Sequence, residues 1–282
     1  MFATRFAPSP TGRLHKGHAF SALTARQAAS EAGGRFVLRI EDIDPTRCKP
    51  AFEDGIYEDL QWLGLDWEHS VRRQSDHLDD YAGAVEDLRQ RGLVYRCFRT
   101  RKEILDTIGH APHGAAEAVR PGPHPQDEEA ELLRAGRPFA WRLSLDAARD
   151  TLGGAAWDSL SFFEEGQGPQ GEIGRIKARP ETAGDVVLAR KDAGAAYHLA
   201  AVHDDALQGM THIIRGVDLF EATHIQRLIQ SLFGWPEPIY RHHRLLTGPD
   251  GRRYAKRDGS VTLQALREDG MTAGDLRAEI GF

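Results

Sequence analysis

Cys48 and Cys97 are the only cysteines in 282 residues. Two cysteines support neither a disulfide scaffold nor a four-cysteine zinc site, so both are expected as free thiols. Long apolar runs are missing as well. Nothing reaches the ~18–20 residues that a membrane helix needs. Met1-Phe2-Ala3-Thr4-Arg5 leads into a proline-rich turn with no apolar signal core behind it. These absences exclude a membrane partner and point to the cytoplasm. An excess of basic charge is also lacking. The formal net charge of −6 argues against non-specific nucleic-acid binding, while leaving room for a local basic groove. Internal repeats are not found. With 40% hydrophobic and 28% charged residues the composition is ordinary for a globular chain, so motifs must decide the function. The length suits roughly two domains, or one α/β core with an insertion, and can bury a substantial core.

What is present has order. Phe6-Ala7 ends a short apolar piece, and Pro8-Ser9-Pro10-Thr11-Gly12 is a turn. Apolar positions at three/four spacing, among them Phe20 and Leu23, predict a helix over 18–31, stopped by Gly33-Gly34. The near-continuous apolar run over 35–40 predicts a buried parallel strand, followed by the acidic Glu41-Asp42-Ile43-Asp44. Strand, glycine turn, helix and strand make a right-handed βαβ unit. Ligands of such sheets sit at the carboxyl ends of the strands, which gathers Ser9, His15, His18 and Glu41 around one crevice. Helices are expected over 52–63 and 77–91. The stretch 108–131, rich in Gly, Pro, Ala and His, reads as a long loop or the edge of an insertion. The α/β pattern resumes at Gly184, with Val186-Val187-Leu188-Ala189 as a strand and further apolar runs over 197–202 and 211–214. A helix is expected over 218–233 and a loop over 245–257, turning at Pro249-Asp250-Gly251.

His15-Lys16-Gly17-His18 opens the first helix. A helix N-terminus attracts anions, because its amides are unpaired and its dipole is positive there. The glycine lets a nucleotide lie close to the backbone. The histidines can donate to phosphate oxygens as charge builds in a displacement at phosphorus. Chance also supplies His-x-Gly-His at helix starts; the preceding Ala-Pro-Ser-Pro-Thr-Gly makes coincidence a poor account.

The run Arg5-Phe6-Ala7-Pro8-Ser9-Pro10-Thr11-Gly12 resembles the opening of glutamyl-tRNA synthetases, and His15-Lys16-Gly17-His18 resembles their form of the class I "HIGH" signature. Arg39-Ile40-Glu41-Asp42-Ile43-Asp44-Pro45-Thr46-Arg47, Tyr197-His198-Leu199-Ala200 and Ile213-Ile214-Arg215-Gly216-Val217-Asp218-Leu219 are similar to later blocks of that family, in order. The likeness covers nearly the whole chain except about 105–175. It implies an α/β fold: a Rossmann-type class I aminoacyl-tRNA synthetase catalytic core with an inserted α+β subdomain and no anticodon-binding domain. The expected division is 1–95 and 184–245 for the two halves of the core, 96–183 for the insertion, and 246–282 for a KMSKS-like loop with a C-terminal helical segment.

The resemblance implies a chemistry. Glutamate brings two carboxylates and an ammonium, and arginine suits carboxylates because its planar fork bonds them bidentately. The matching glutamate-binding positions are Arg5, Phe6, Ala7, Pro8, Ser9, Glu41, Tyr197 and Arg215. Arg215 would face the side-chain carboxylate, Glu41 the ammonium, and Tyr197 would add a hydroxyl. ATP would lie against His15, Gly17 and His18, with Arg253 and Lys256 of a degenerate KMSKS-like loop, Arg253-Tyr254-Ala255-Lys256-Arg257. His15, His18 and Lys256 are the expected catalytic residues. Taken without the motifs, Glu41 and the arginines would pass for solvated surface charges. No enzyme nucleophile is needed, since the substrate carboxylate attacks ATP and Mg²⁺ accompanies the phosphates. Relatives carry a Cys-x-Cys zinc site where this chain has Cys97-Phe98-Arg99. Arg99 holds the second ligand position, His110 and His113 are weak substitutes, and zinc is not expected.

The short length resembles the glutamyl-queuosine tRNA(Asp) synthetases. That likeness implies the partners L-glutamate, ATP and the tRNA(Asp) anticodon loop carrying queuosine, with monomer as the default state. Three alternatives stay open: a minimal glutamyl-tRNA synthetase charging a 3′ end, a nucleotidyltransferase sharing only the His-x-Gly-His crevice, and a non-catalytic amino-acid-binding paralogue.

Overall fold

The structure is a computed structural model that describes residues 1–100, 103–104, 119–190, 194–247 and 261–282. It opens as strand β1 (Ala3–Phe6), helix α1 (Lys16–Glu31) and strand β2 (Arg35–Ile40). β2 pairs in parallel with β1, from Ala3 opposite Arg35 to Phe6 opposite Leu38. Helix α2 (Pro50–Trp62) leads to β3 (Glu68–Arg73), also parallel to β2. Proline at its first position starts α2, where the missing amide hydrogen costs nothing. Helix α3 (Leu78–Gln90) and strand β4 (Val94–Cys97) follow. Next come α4 (Gln126–Arg134), β5 (Ala140–Leu143), α5 (Leu145–Leu152), α6 (Gly154–Ser159), β6 (Ser161–Glu164), β7 (Gly174–Lys177) and β8 (Val187–Arg190). The remaining elements are α7 (Tyr197–Leu207), β9 (His212–Gly216), α8 (Phe220–Phe233), β10 (Ile239–His243), α9 (Leu263–Glu268) and α10 (Ala273–Ile280).

A second sheet has the order β7-β6-β10-β9, with β10 parallel to both β6 and β9. Its β9 edge meets β1. The Thr211 amide donates to the Ala3 carbonyl at 3.0 Å, and the Ala3 amide donates to the Thr211 hydroxyl at 2.9 Å. The parallel strands thus fan outward from a β1–β9 seam, the kind of switch point where open α/β sheets bind ligands. A third, antiparallel sheet, β4-β5-β8, joins strands that flank the segment 96–183 to one within it.

Strand periodicity divides the core. Phe36, Leu38 and Ile40 of β2, with Phe6 and Ile214, pack into one buried cluster with the alanine face of α1. The alternate residues Ala3, Val37 and Ile213 enter the other cluster, with α7 and α8. Arg5, Arg39 and Arg215 alternate with the first set, so side-chain period two aims them at the second face. Each fully buried leucine or phenylalanine contributes ~1.5–3 kcal/mol. Leu38→Ala at the centre would cost about 2–5 kcal/mol.

Several expectations change. The run over 197–202, grouped with strands, forms helix α7; it continues through His203-Asp204-Asp205 and buries both aspartates, which a strand's alternation could not do. Its Leu and Ala content favours helix. In α1 the buried face is Ala19, Ala22, Leu23, Ala25, Ala28 and Ala29, while Phe20 is only half-buried. The end of the 108–131 stretch is helical, as α4. The helix over 218–233 begins with a 3₁₀ turn, Val217–Leu219. The Pro249-Asp250-Gly251 turn lies outside the described residues.

Candidate active site

At the carboxyl ends of β1 and β9 a cavity of about 570 Å³ opens. It is lined by Arg5, Phe6, Ala7, Pro8, Ser9, His15, Gly17, His18, Glu41, Tyr197 and Arg215. Every glutamate-site position expected from the sequence therefore reaches one space, together with the His-x-Gly-His segment. Arg253 and Lys256 lie outside the described residues. Phe20, Ser21, Asp218, Leu219, His243 and Arg244 also line the cavity, and the sequence reading did not name them as site residues.

The two histidines are set by the helix start itself. His15 is the N-cap of α1, and its Nδ1 accepts from the Gly17 amide at 3.2 Å. The His18 Nδ1 accepts in turn from the His15 amide at 3.2 Å. Each neutral imidazole, with Nδ1 accepting, carries its proton on Nε2 as a donor. The rings lie 3.8 Å apart between centroids. An isolated bridge between His15 and Thr262, with the Leu263 amide on the Leu14 carbonyl at 2.9 Å, ties this corner to the start of α9.

Beneath the cavity runs a buried ionic network. Arg5 donates Nε to Asp205 Oδ1 at 2.9 Å and Nη2 to Oδ2 at 3.4 Å. Arg39, fully buried, donates to the same Asp205 Oδ1 at 2.8 Å and to Glu41 Oε1 at 3.0 Å. Asp204, also fully buried, takes bonds from Arg72, Gln74 and Tyr81. Burial opposes charge throughout. At Asp205, Arg5 and Arg39 overcome it and hold the carboxyl below its ordinary range. At Glu41 burial prevails over the pull of Arg39 and Arg5, and the carboxyl is pushed up. Arg5 and Glu41 thus face the cavity with counter-charges already in place.

Arg215 differs. Its Nε donates to His242 Nε2 at 3.1 Å, Nη1 to Gln226 Oε1 at 2.8 Å and to the Tyr197 hydroxyl at 3.4 Å, and Nη2 to the Thr223 hydroxyl at 2.7 Å. The guanidinium lies over the Tyr240 ring, 5.4 Å from its centroid. These partners are neutral, and among the described residues no carboxylate forms an ion pair with Arg215, although it is only 5% exposed. A buried cation without a counter-ion is costly unless a ligand supplies one.

A second cavity of about 1090 Å³ adjoins the first, sharing Ser9, Glu41 and Tyr197. Arg47, Arg99, Arg142 and Arg190 lie on its walls. So does His198, whose Nδ1 is buried without a hydrogen-bond partner. Burial and the nearby Arg215 charge pull its pKa down to about 4. Cys97 is buried, and Arg99 donates to the Pro121 carbonyl at 2.6 Å; His110 and His113 lie outside the described residues.

Arg39, Asp204, Asp205, His242 and Glu164 do not stand out as site residues in the sequence. A signal existed for some of them. Charged residues at alternate positions of buried strands need buried partners, and Asp204-Asp205 follow closely on the apolar run Leu199-Ala200-Ala201-Val202.

Residues 1–152 and 167–279 match the family described as tRNA synthetases class I (E and Q), catalytic domain. The Glutamyl-Q tRNA(Asp) synthetase of Rhodobacter capsulatus is 46% identical over 287 residues, covering 99% of this chain and 99% of that protein. Glutamate–tRNA ligase 2 of Dinoroseobacter shibae is 39% identical over 293 residues, covering all of this chain and 61% of that protein. Among solved structures, the glutamate-tRNA synthetase of Elizabethkingia anophelis aligns with a TM-score of 0.74 at 28% identity, over 92% of this chain and 53% of that one. Matched over most of its length, and with its seam cavity lined by the residues of those motifs, this chain belongs to the catalytic-domain family of the class I tRNA synthetases for glutamate and glutamine.

Proposed function

We propose that the chain activates L-glutamate with ATP as glutamyl-adenylate and transfers the glutamyl group to the queuosine base of tRNA(Asp). The observation that carries the glutamate assignment is Arg215, a buried guanidinium held by neutral partners at the cavity wall. The γ-carboxylate of glutamate supplies the missing negative charge. Glutamine would leave the charge unmet and turn amide hydrogens toward donors, a mismatch of several kcal/mol in order of magnitude. Glu41 receives the ammonium, and the incoming positive charge favours the ionised carboxylate that burial opposes.

The α-carboxylate oxygen attacks the α-phosphorus of ATP, and pyrophosphate leaves with the bond electrons. Nε2–H donors of His15 and His18 stabilise the charge that grows on phosphate oxygens, and Lys256 and Arg253 act on the triphosphate. Mg²⁺ carried by the ATP would neutralise phosphate charge and would be held mainly by phosphate and water. A hydroxyl of the acceptor nucleoside then attacks the acyl carbon, releases AMP and leaves an ester. The arginines of the second cavity suit an RNA backbone approaching this point. The choice of queuosine rests on the likeness to the Rhodobacter capsulatus protein.

The test is transfer of labelled glutamate to tRNA(Asp) with and without queuosine, followed by removal of the 3′-terminal nucleotide. Label that requires queuosine and survives trimming supports the reading. Label that is indifferent to queuosine and lost with the 3′ end assigns the chain to 3′-end charging instead.

A further inference from the structure

We infer that Glu164 and His242 are positioning residues that fix the Arg215 guanidinium for the side-chain carboxylate of glutamate, working through one enforced tautomer of His242. The inference rests on the reading that Arg215 meets that carboxylate. Glu164 ends β6 and His242 lies on the neighbouring β10, with Tyr240 in register with Glu164. Glu164 is fully buried and His242 is 2% exposed, so bulk water does not supply substitute partners. Oε1 of Glu164 accepts from the His242 and Gly166 amides, each at 2.8 Å. Oε2 lies 2.5 Å from His242 Nδ1.

An ionised carboxylate only accepts, so Nδ1 carries the imidazole hydrogen. Nε2 is then a lone pair, and it is this atom that faces Arg215 Nε, which can only donate, at 3.1 Å. The opposite tautomer would set N–H against N–H at Arg215 and leave Nδ1 without a hydrogen for Glu164. The Thr223 hydroxyl, 3.5 Å from the same Nε2, also accepts from Arg215. Burial and the Arg215 charge resist protonation of His242 while Glu164 favours it, and the balance lies below the ordinary histidine value.

The relay decides what Arg215 shows to the cavity. Of the five N–H bonds of a guanidinium, His242, Gln226, Tyr197 and Thr223 engage all but one on Nη2. Tyr197, accepting from Arg215, keeps its own hydroxyl hydrogen to give. The wall therefore presents two donors and a positive charge, the complement of a carboxylate. Glu164 supplies negative charge one imidazole away, steadying Arg215 without occupying the ligand's place. Neutral spacers of this kind orient a charged group by hydrogen-bond direction.

Glutamate-dependent ATP–pyrophosphate exchange tests this, with Michaelis constants measured for glutamate and for ATP. His242→Phe keeps the volume and removes both bonds. We expect the KM for glutamate to rise about tenfold or more, with the KM for ATP within about threefold of the parent. His242→Gln can accept from Arg215 and donate to Glu164, and should recover most of the loss. Glu164→Gln no longer dictates the tautomer and should raise the KM for glutamate severalfold and narrow the preference for glutamate over glutamine. If His242→Phe is insoluble, the comparison of His242→Gln with Glu164→Gln decides. Exchange in the parent with unchanged glutamate KM in Glu164→Gln and His242→Phe overturns the relay alone. Parallel rises for both substrates, with no recovery in His242→Gln, overturn it in favour of a structural role. No glutamate-dependent exchange in the parent overturns the relay together with the reading beneath it.

Discussion

Arg215 works because of its shape as much as its charge. A planar fork reaches Gln226, Thr223, His242 and Tyr197 at once, and a lysine ammonium cannot. Arg215→Lys should therefore raise the KM for glutamate in pyrophosphate exchange on the order of 100-fold, while an Arg→Lys change at the exposed Arg89 does nothing measurable. His198 sets a pH limit. Its ordinary pKa of 6.5 falls to about 4 in the fold. Between those values the unfolded chain binds a proton that the folded one refuses. The stability His198 allows is thus complete above about pH 6.5 and lost as pH falls toward 4, by roughly 3 kcal/mol in order of magnitude for the full shift. Urea midpoints measured from pH 7 to 4 should show a steeper decline for the parent than for His198→Phe; equal slopes would refute the assignment.

Elements hold these residues where they are. The β6–β10 pairing needs a glycine just past β6. A Cβ on Gly166 would lie 2.2 Å from the His242 carbonyl oxygen, so Gly166→Ala should separate the strands and lower the melting temperature by several degrees, with glutamate binding weakened in step. At the other end of the chain, Thr272 caps α10 through a reciprocal bond with Asp275. Thr272→Ala should cost about 1 kcal/mol in urea unfolding and leave exchange kinetics unchanged. Elements also show what a sequence discloses. The helix α1 and strand β2 were legible because glycines bound them and their apolar spacing is unambiguous. Helix α7 was not. After Tyr197-His198, the run Leu199-Ala200-Ala201-Val202 is apolar on every side and carries no period that separates a buried helix from a buried strand. The glutamate-site part of the cavity lining was legible because its residues cluster in short motifs; His243 and Arg244, which stand in none, were not. The Glu164–His242 pair was not, since its partners lie 78 positions apart and neither stands in a motif.

At the scale of the whole molecule, Asp205 joins the two halves. It neutralises Arg5 of β1 and Arg39 of β2 from α7, across the seam where β1 meets β9. Asp205→Asn removes the carboxylate paired with Arg5 and leaves Arg39 to Glu41, and should destabilise the fold by about 3–5 kcal/mol in denaturant unfolding. Arg5→Leu combined with Asp205→Leu should cost less than the sum of the single changes, because the partners act as one unit. The seam also has a history in time. Arg5 and its counter-ion are separated by 200 positions. At about 5–20 residues per second, the ribosome delivers Asp205 roughly 10–40 s after Arg5. Until then β1 and β2 carry two arginines on a face meant for the interior, and that face has reason to stay in water. Burying Arg5 without its carboxylate is costly, so that face is expected to close only once the helix that brings the acid has been made.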